Sequence, residues 1–96
     1  MTTDVQVTDN PSRSRFEAQV EGRLAVAEYR LQGEGVMAMT HTEVPPELEG
    51  RGIAAALVRA AVAHARENGL KLRPLCAYVA AYARKHPEIA DVLAAA

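Results

Sequence analysis

A glycine-bearing loop, Gly50-Arg51-Gly52, marks the point where a period-two pattern gives way to an alanine-rich helical pattern. The first N–H groups of a helix have no partner within the helix, and the helix dipole adds about half a positive charge at that end. Gly50 and Gly52 lack a Cβ, so the backbone can approach a ligand closely. The sequence therefore predicts a site for a phosphate or diphosphate at the start of this helix.

The residues around the loop also suit an anion. Arg51 carries a positive charge, and the small side chains of Ala54 and Ala55 keep the first helical turn low. No acidic residue follows Gly52 in that turn to occupy the free amides. A tight strand-to-helix turn that needs glycine only for its geometry is the alternative. The candidate binding residues are Gly50, Arg51, Gly52, Ile53, Ala54 and Ala55.

Two better-known phosphate motifs are excluded. A Walker A loop requires lysine, and residues 1–70 contain none. Gly33-Glu34-Gly35 imitates part of a dinucleotide fingerprint, but a period-two segment follows it where that fingerprint requires a helix. Metal chemistry is not indicated either, because no His, Cys, Asp and Glu residues have the spacing of metal ligands.

The elements that must position the loop follow from hydrophobic periodicity. Alternating apolar residues predict three antiparallel strands, beginning at Arg15 and then covering Leu24–Leu31 and Val36–Val44. Period-3.6 patterns predict a helix from Ile53 to Asn68 and a second over Cys76–Lys85. Between them Leu70–Leu75 reads as a strand parallel to the third, through a right-handed crossover. The expected fold is α/β (α+β), a mixed sheet in the order β-β-β-α-β-α.

Length and composition limit the classes of protein. The chain has 96 residues, 49% of them hydrophobic, and a net charge of −1, as expected for one globular domain. We expect a flexible tail over 1–12 and a single domain over 13–96. A single cysteine excludes a disulfide framework. The N-terminus does not resemble a signal peptide, and no apolar stretch is long enough to span a membrane, so a cytoplasmic protein is expected.

Charge is unevenly distributed along the chain. Residues 50–86 contain seven Lys and Arg but one acidic residue, Glu67. This predicts either an anionic partner or a solvated helix face. Nucleic acid is a weak alternative, because the chain has one Phe, no Trp and no strand in which basic and aromatic residues alternate. The sequence does not distinguish a monomer from a homodimer.

The loop resembles the acyl-CoA pyrophosphate loop of the GNAT N-acetyltransferases, whose pattern is [Gln/Arg]-x-x-Gly-x-[Gly/Ala]. Gly52 and Ala54 match its last two fixed positions, and Glu49 departs from the first. Further segments are similar to a small, minimal branch of that superfamily, over roughly residues 14–92: His41-Thr42-Glu43-Val44, Ala65-Arg66, Gly69, Pro74-Leu75-Cys76 and His86-Pro87.

The resemblance implies a minimal GNAT-like fold that binds acetyl-CoA and transfers its acetyl group to an amine by direct attack. The acceptor, a small molecule or a protein, is not identified. A non-catalytic CoA-binding or protein-interaction module of the same fold is the alternative. The resemblance also implies that the backbone N–H of Val44 stabilises the thioester oxygen, where Pro45-Pro46 would hold the strands apart.

Proton transfer would require acids and bases near the thioester. Cys76, at the end of the fourth strand, is a candidate acid or nucleophile, or else a buried apolar residue. His41 and Glu43 share one face of the third strand and are candidate bases, or else exposed surface residues. Tyr78 and Tyr82 are either proton donors or packing residues. The basic Arg84-Lys85-His86 segment is a candidate contact for the coenzyme's 3′-phosphate.

Overall fold

A five-stranded mixed sheet forms the centre of the fold in the computed structural model, which describes residues 5–95. Within that range the strands are β1 (Val7–Asn10), β2 (Arg15–Val20), β3 (Arg23–Gln32), β4 (Val36–Glu43) and β5 (Lys71–Pro74). The helices are α1 (Ile53–Asn68) and α2 (Ala77–Lys85), and short 3-10 segments cover Pro11–Arg13, Pro46–Leu48 and Pro87–Val92.

Strand order follows chain order, β1-β2-β3-β4-β5. The first four strands are antiparallel, and β5 pairs with β4 in parallel after the α1 crossover. The tight turn between β2 and β3 places Glu21 and Gly22 at φ 53° and 75°, as hairpins compatible with strand twist require. The α/β class, the mixed sheet and the parallel pairing of the last strand are therefore confirmed.

Strand β1 corrects the expectation of a flexible tail over 1–12. It pairs with β2 along its whole length, so the order of elements begins with four strands rather than three. The hydroxyl of Tyr29 donates a hydrogen bond of 2.8 Å to Asp9 and ties this edge strand to β3. A short polar strand has little hydrophobic periodicity, which is why the sequence pattern misses it. Residues 1–4 lie outside the described residues.

Helix α1 packs one face against the sheet. Its buried residues are Ile53, Ala56, Leu57, Val58, Ala61, Val62 and Ala65. The helix ends where Gly69, at φ 67°, donates its N–H to the carbonyl of Ala65. Both helices join the sheet in one hydrophobic cluster, whose largest fully buried side chains are Met37, Met39, Leu48, Ile53, Leu57, Val58, Leu72 and Val79.

The C-terminal part differs from the prediction at its boundaries. Cys76 is the residue that precedes α2, with an extended backbone, rather than its first helical residue. Beyond α2 the chain returns to β5, where Leu93 bridges to Leu72 and Ala94 donates a 2.7 Å hydrogen bond to the Leu72 carbonyl. No helix within residues 5–95 combines the length and apolar character that crossing a membrane requires.

Candidate functional site

Strands β4 and β5 separate at the end nearest the glycine loop. Their pairing stops at Met39 opposite Pro74, which has no N–H to donate. The Met39 carbonyl accepts hydrogen bonds from the N–H groups of both Leu75 (3.1 Å) and Cys76 (2.9 Å) as the chain turns away from β4. Strand β4 continues to Glu43, paired only with β3. The result is a wedge-shaped opening between the two parallel strands.

A β-bulge in β4 decides which side chains face this opening. Tyr29 pairs with Met39 but Glu28 pairs with His41, so Thr40 is the extra residue. The bulge reverses the alternation of side chains, and residues after it point to the face opposite to the one that simple alternation predicts. Thr42, which pairs with the buried Ala27, therefore lies on the side of the sheet that faces the core cluster.

A cleft of about 450 Å³ joins the opening to the start of α1. Its floor is apolar, formed partly by the buried side chains of Leu48 and Ile53. The lining residues are Thr42, Val44, Leu48, Glu49, Gly50, Gly52, Ile53, Ala54, Ala55 and Tyr78. Six of the predicted binding residues, Val44, Gly50, Gly52, Ile53, Ala54 and Ala55, are thus brought together along one cleft.

The first amides of α1 have no partner among the described residues. Gly52 caps the helix in a left-handed conformation at φ 77°, with no side-chain hydrogen bond and no acidic residue in the first turn. The first intrahelical bond is donated by Ala56 to the Gly52 carbonyl at 3.0 Å. The N–H groups from Ile53 to Ala55 therefore stay available at the cleft, so the condition for an anion site is met.

The side chain of Arg51 is engaged elsewhere. Its Nη1 lies 2.6 Å from Oε2 of Glu21 in the β2–β3 turn, and Arg51 is not among the residues that line the cleft. This hydrogen bond and the attraction between the charges lower the pKa of Glu21 and raise the pKa of Arg51. A second ion pair, between Arg23 and Glu47 at 3.4 Å, joins the same turn to the segment before the loop. The sequence analysis had no signal for either contact.

Cys76 lies at the opening, with its Sγ 3.5 Å from the Thr42 hydroxyl. Burial alone raises the pKa of this thiol. Hydrogen bonds with the Thr42 hydroxyl and with the backbone of Val79, Tyr78 and Thr42 lower it, and the net pKa is below the usual value. The Thr42 hydroxyl has the largest lowering effect on this pKa, and amides at the start of α2 add to it. Cys76 is not among the residues that line the cleft, but its Sγ is next to Thr42, which is.

His41 and Glu43 lie together but outside the cleft. His41 Nε2 is 3.2 Å from Glu43 Oε1, and both side chains are exposed. Because of the bulge, they point to the face of β4 opposite Thr42. They stand beside the free end of the strand, on the far side of the opening from the cleft.

The model of the GCN5-related N-acetyl-transferase family matches residues 15–92. The chain belongs to this family. Protein NATD1 of Gallus gallus is 34% identical over 86% of the chain and 77% of its own length, and Protein NATD1 of Homo sapiens is 33% identical over 86% and 75%.

A solved structure agrees with this assignment. The solution structure of a GCN5-like protein from Staphylococcus aureus superimposes with a TM-score of 0.75 at 29% identity, covering 95% of this chain and 89% of that one. The resemblance to a GNAT domain is thus confirmed, both for the family and for the fold. GCN5-related domains generally use acetyl-CoA as the acyl donor.

The cleft of this GCN5-related domain fits such a donor. Unpartnered amides at the start of α1 suit a diphosphate, and the wedge between β4 and β5 lies at the other end of the same cleft. Gly50 and Gly52, at φ 83° and 77°, have no side chains that would fill the space in front of the α1 amides. Glu49, the departure from the family pattern, lines the cleft and adds a carboxylate to it.

Tyr78 differs from Tyr82 in its place in this GCN5-related domain. Its side chain lines the cleft and is 39% exposed, whereas Tyr82 is buried and stacks on His86 with ring centroids 4.0 Å apart. Burial and the neighbouring Tyr82 raise the pKa of Tyr78, so its phenol stays protonated at neutral pH. The sequence feature that could have pointed to Tyr78 is its position two residues after Cys76, in the first turn of α2.

Proposed function

We propose that this domain transfers an acetyl group from acetyl-CoA to an amine. The observation that carries the proposal is the row of unpartnered amides from Ile53 to Ala55, facing a cleft that ends at the separation of β4 and β5. Membership of the GCN5-related family supports the same reaction class. Bound acetyl-CoA supplies the thioester whose acyl group is transferred.

The chain's own backbone would hold the donor and the developing negative charge. The amides of Gly52 to Ala55 bind the diphosphate, helped by the positive end of the α1 dipole. The N–H of Val44, which has no backbone partner among the described residues, would donate a hydrogen bond to the thioester oxygen. A preformed donor of this kind needs no reorganisation as the charge develops.

Proton transfer would be divided between the two sides of the opening. His41 and Glu43, which are 3.2 Å apart on the far side, would accept the proton of an amine that enters from that face. Tyr78, which lines the cleft, or Cys76, next to Thr42, would donate a proton to the departing thiolate. The lowered pKa of Cys76 also suits the alternative in which its thiolate accepts the acetyl group before the amine does.

The test combines binding with turnover. Calorimetry with CoA should show saturable binding, and acetyl-CoA with a panel of amines should yield an acetylated amine detected by mass spectrometry. Saturable binding without any product would favour the non-catalytic CoA-binding module, and absence of binding at millimolar CoA would exclude both.

Two variants divide the catalytic roles. A Cys76→Ala protein that retains turnover would exclude the covalent route, since that route needs the thiol. A His41→Gln, Glu43→Gln protein should bind CoA normally but lose turnover at neutral pH and regain part of it at higher pH, where more of the amine is already neutral. Unchanged turnover in the double variant would exclude this pair as the base.

A further inference from the structure

The glycine loop of this domain offers no free side-chain cation to a polyanionic ligand. Coenzyme A carries a diphosphate and a 3′-phosphate. Arg51, the cation of the loop, is held by Glu21 at 2.6 Å, and Glu49 lines the cleft. The backbone amides therefore have no cation beside them within the loop itself. A positive charge from another element would offset this deficit.

Arg59 has the right place on α1. It follows Ala55, which lines the cleft, by one helical turn of about 6 Å, and residues four apart lie on the same face of a helix. Long side chains in helices point back toward the N-terminus and cover the preceding turn. Position 59 is therefore on the face of α1 that also carries Ala55 at the cleft.

The charge of Arg59 is available and acts on the cleft. Arg59 is exposed and forms no ion pair within residues 5–95, in contrast to Arg51. Although burial and Tyr82 raise the pKa of Tyr78, the positive charge of Arg59 lowers it. Since Tyr78 lines the cleft, the field of Arg59 reaches the cleft as well.

We propose that Arg59, rather than Arg51, is the side chain that binds a phosphate of the coenzyme. The inference rests on the proposed function, because it assumes that coenzyme A occupies the cleft. Its chemistry is common to the diphosphate and the 3′-phosphate: a guanidinium donates charge-assisted hydrogen bonds to phosphate oxygens. Arg51 then has a structural role, joining the loop to the β2–β3 turn through Glu21.

The experiment measures the Kd of CoA by calorimetry for the natural chain and three single variants. Arg59→Gln should weaken CoA roughly tenfold or more, the usual loss for a hydrogen bond to a charged group. Arg51→Gln should change the Kd by less than about threefold, as for removal of one exposed ion pair. Arg30→Gln, an exposed arginine of β3 in no ion pair with the described residues, is the matched control and should have no effect.

Truncated ligands identify the phosphate. If Arg59 binds the 3′-phosphate, its variant and the natural chain should bind dephospho-CoA equally. If it binds the diphosphate, the difference should persist with dephospho-CoA and vanish with pantetheine. A loss that persists with pantetheine would overturn the proposal, because the effect would then not involve a phosphate.

The outcomes also separate this inference from the proposed function. No binding of CoA to the natural chain would exclude the proposed function itself. Normal CoA binding that Arg59→Gln leaves unchanged, or that Arg51→Gln weakens more, would overturn the role of Arg59 and leave the function standing. Arg59→Lys, which keeps the charge, should recover most of the affinity, and equal melting temperatures would show that the variants fold alike.

Discussion

Replacement of Gly52 by glutamate should abolish coenzyme binding in a domain that still folds. Gly52 has φ 77°, and a Cβ added there meets no atom within 4 Å. The cost is therefore backbone strain, about 1–2 kcal/mol for a side chain in the left-handed region. The new carboxylate lies beside the free amides of α1, which should return about 0.3–1 kcal/mol through the helix dipole. The same carboxylate would occupy the place of the diphosphate.

Gly69→Glu is the matched control at the other end of the same helix. Gly69 has φ 67°, and an added Cβ again meets nothing within 4 Å. The strain is the same, but a carboxylate at the C-terminal end opposes the helix dipole and adds about 0.3–1 kcal/mol of destabilisation. Gly69→Glu should therefore unfold at a lower temperature than Gly52→Glu, each kcal/mol costing about 4–8 °C in a domain of this size.

The assay is thermal unfolding with and without CoA. Ligand at about 100 times its Kd stabilises the folded state by about 2.7 kcal/mol, a rise of roughly 10–20 °C. The natural chain and Gly69→Glu should show this rise, whereas Gly52→Glu, the more stable of the two variants, should show almost none.

A Gly52→Glu protein that keeps the full rise would refute the assignment of the α1 amides to the diphosphate. Gly52→Gln separates the effect of charge from that of bulk. It should lose less of the rise, because an uncharged amide competes less well for the free N–H groups.

Three further predictions concern single groups. Burial and the hydrogen bond to Asp9 raise the pKa of Tyr29 from 10.0 to about 12. The stability due to the neutral phenol is therefore complete below pH 10 and is lost as the pH rises toward 12. Tyr29→Phe should flatten this alkaline decline in the free energy of unfolding by urea, and an unaltered decline would contradict the prediction. Thr42→Val should raise the pKa of the Cys76 thiol and slow its alkylation by iodoacetamide near neutral pH, while an equal rate would show that the hydroxyl does not stabilise the thiolate. Glu49→Gln removes a carboxylate from the cleft and should lower the Kd of CoA severalfold by calorimetry, whereas an unchanged Kd would place the phosphates away from this residue.

Much of the fold was predictable because local patterns encode local backbone structure. Period-two and period-3.6 hydrophobicity located β2 to β5 and both helices, and glycine marked the two ends of α1. The candidate phosphate-binding loop was predictable for the same reason. Its availability to an anion depends on glycine and on the lack of an acidic residue in the first helical turn, and both are read directly from neighbouring residues.

The arrangement of side chains around the cleft was not predictable in this way. The bulge at Thr40 reverses the faces of β4, so that Thr42 rather than His41 lies toward the cleft. Sequence parity places His41 and Glu43 on a shared face but does not reveal which face it is. A bulge residue such as Thr40 is found only when the pairing register of β3 and β4 is known. That register joins residues of two different strands, so the local sequence pattern of β4 does not reveal it.

The sequence by itself determined the family, the order of most elements and the loop, because each depends on a short continuous pattern. Tertiary structure alone decided that Glu21 holds Arg51, that Thr42 meets the Cys76 thiol, and that a polar N-terminal segment becomes β1. These contacts join residues far apart in the chain, and their partners are exposed or polar. Hydrophobic periodicity carries no information about such contacts, and only the folded backbone brings the groups together.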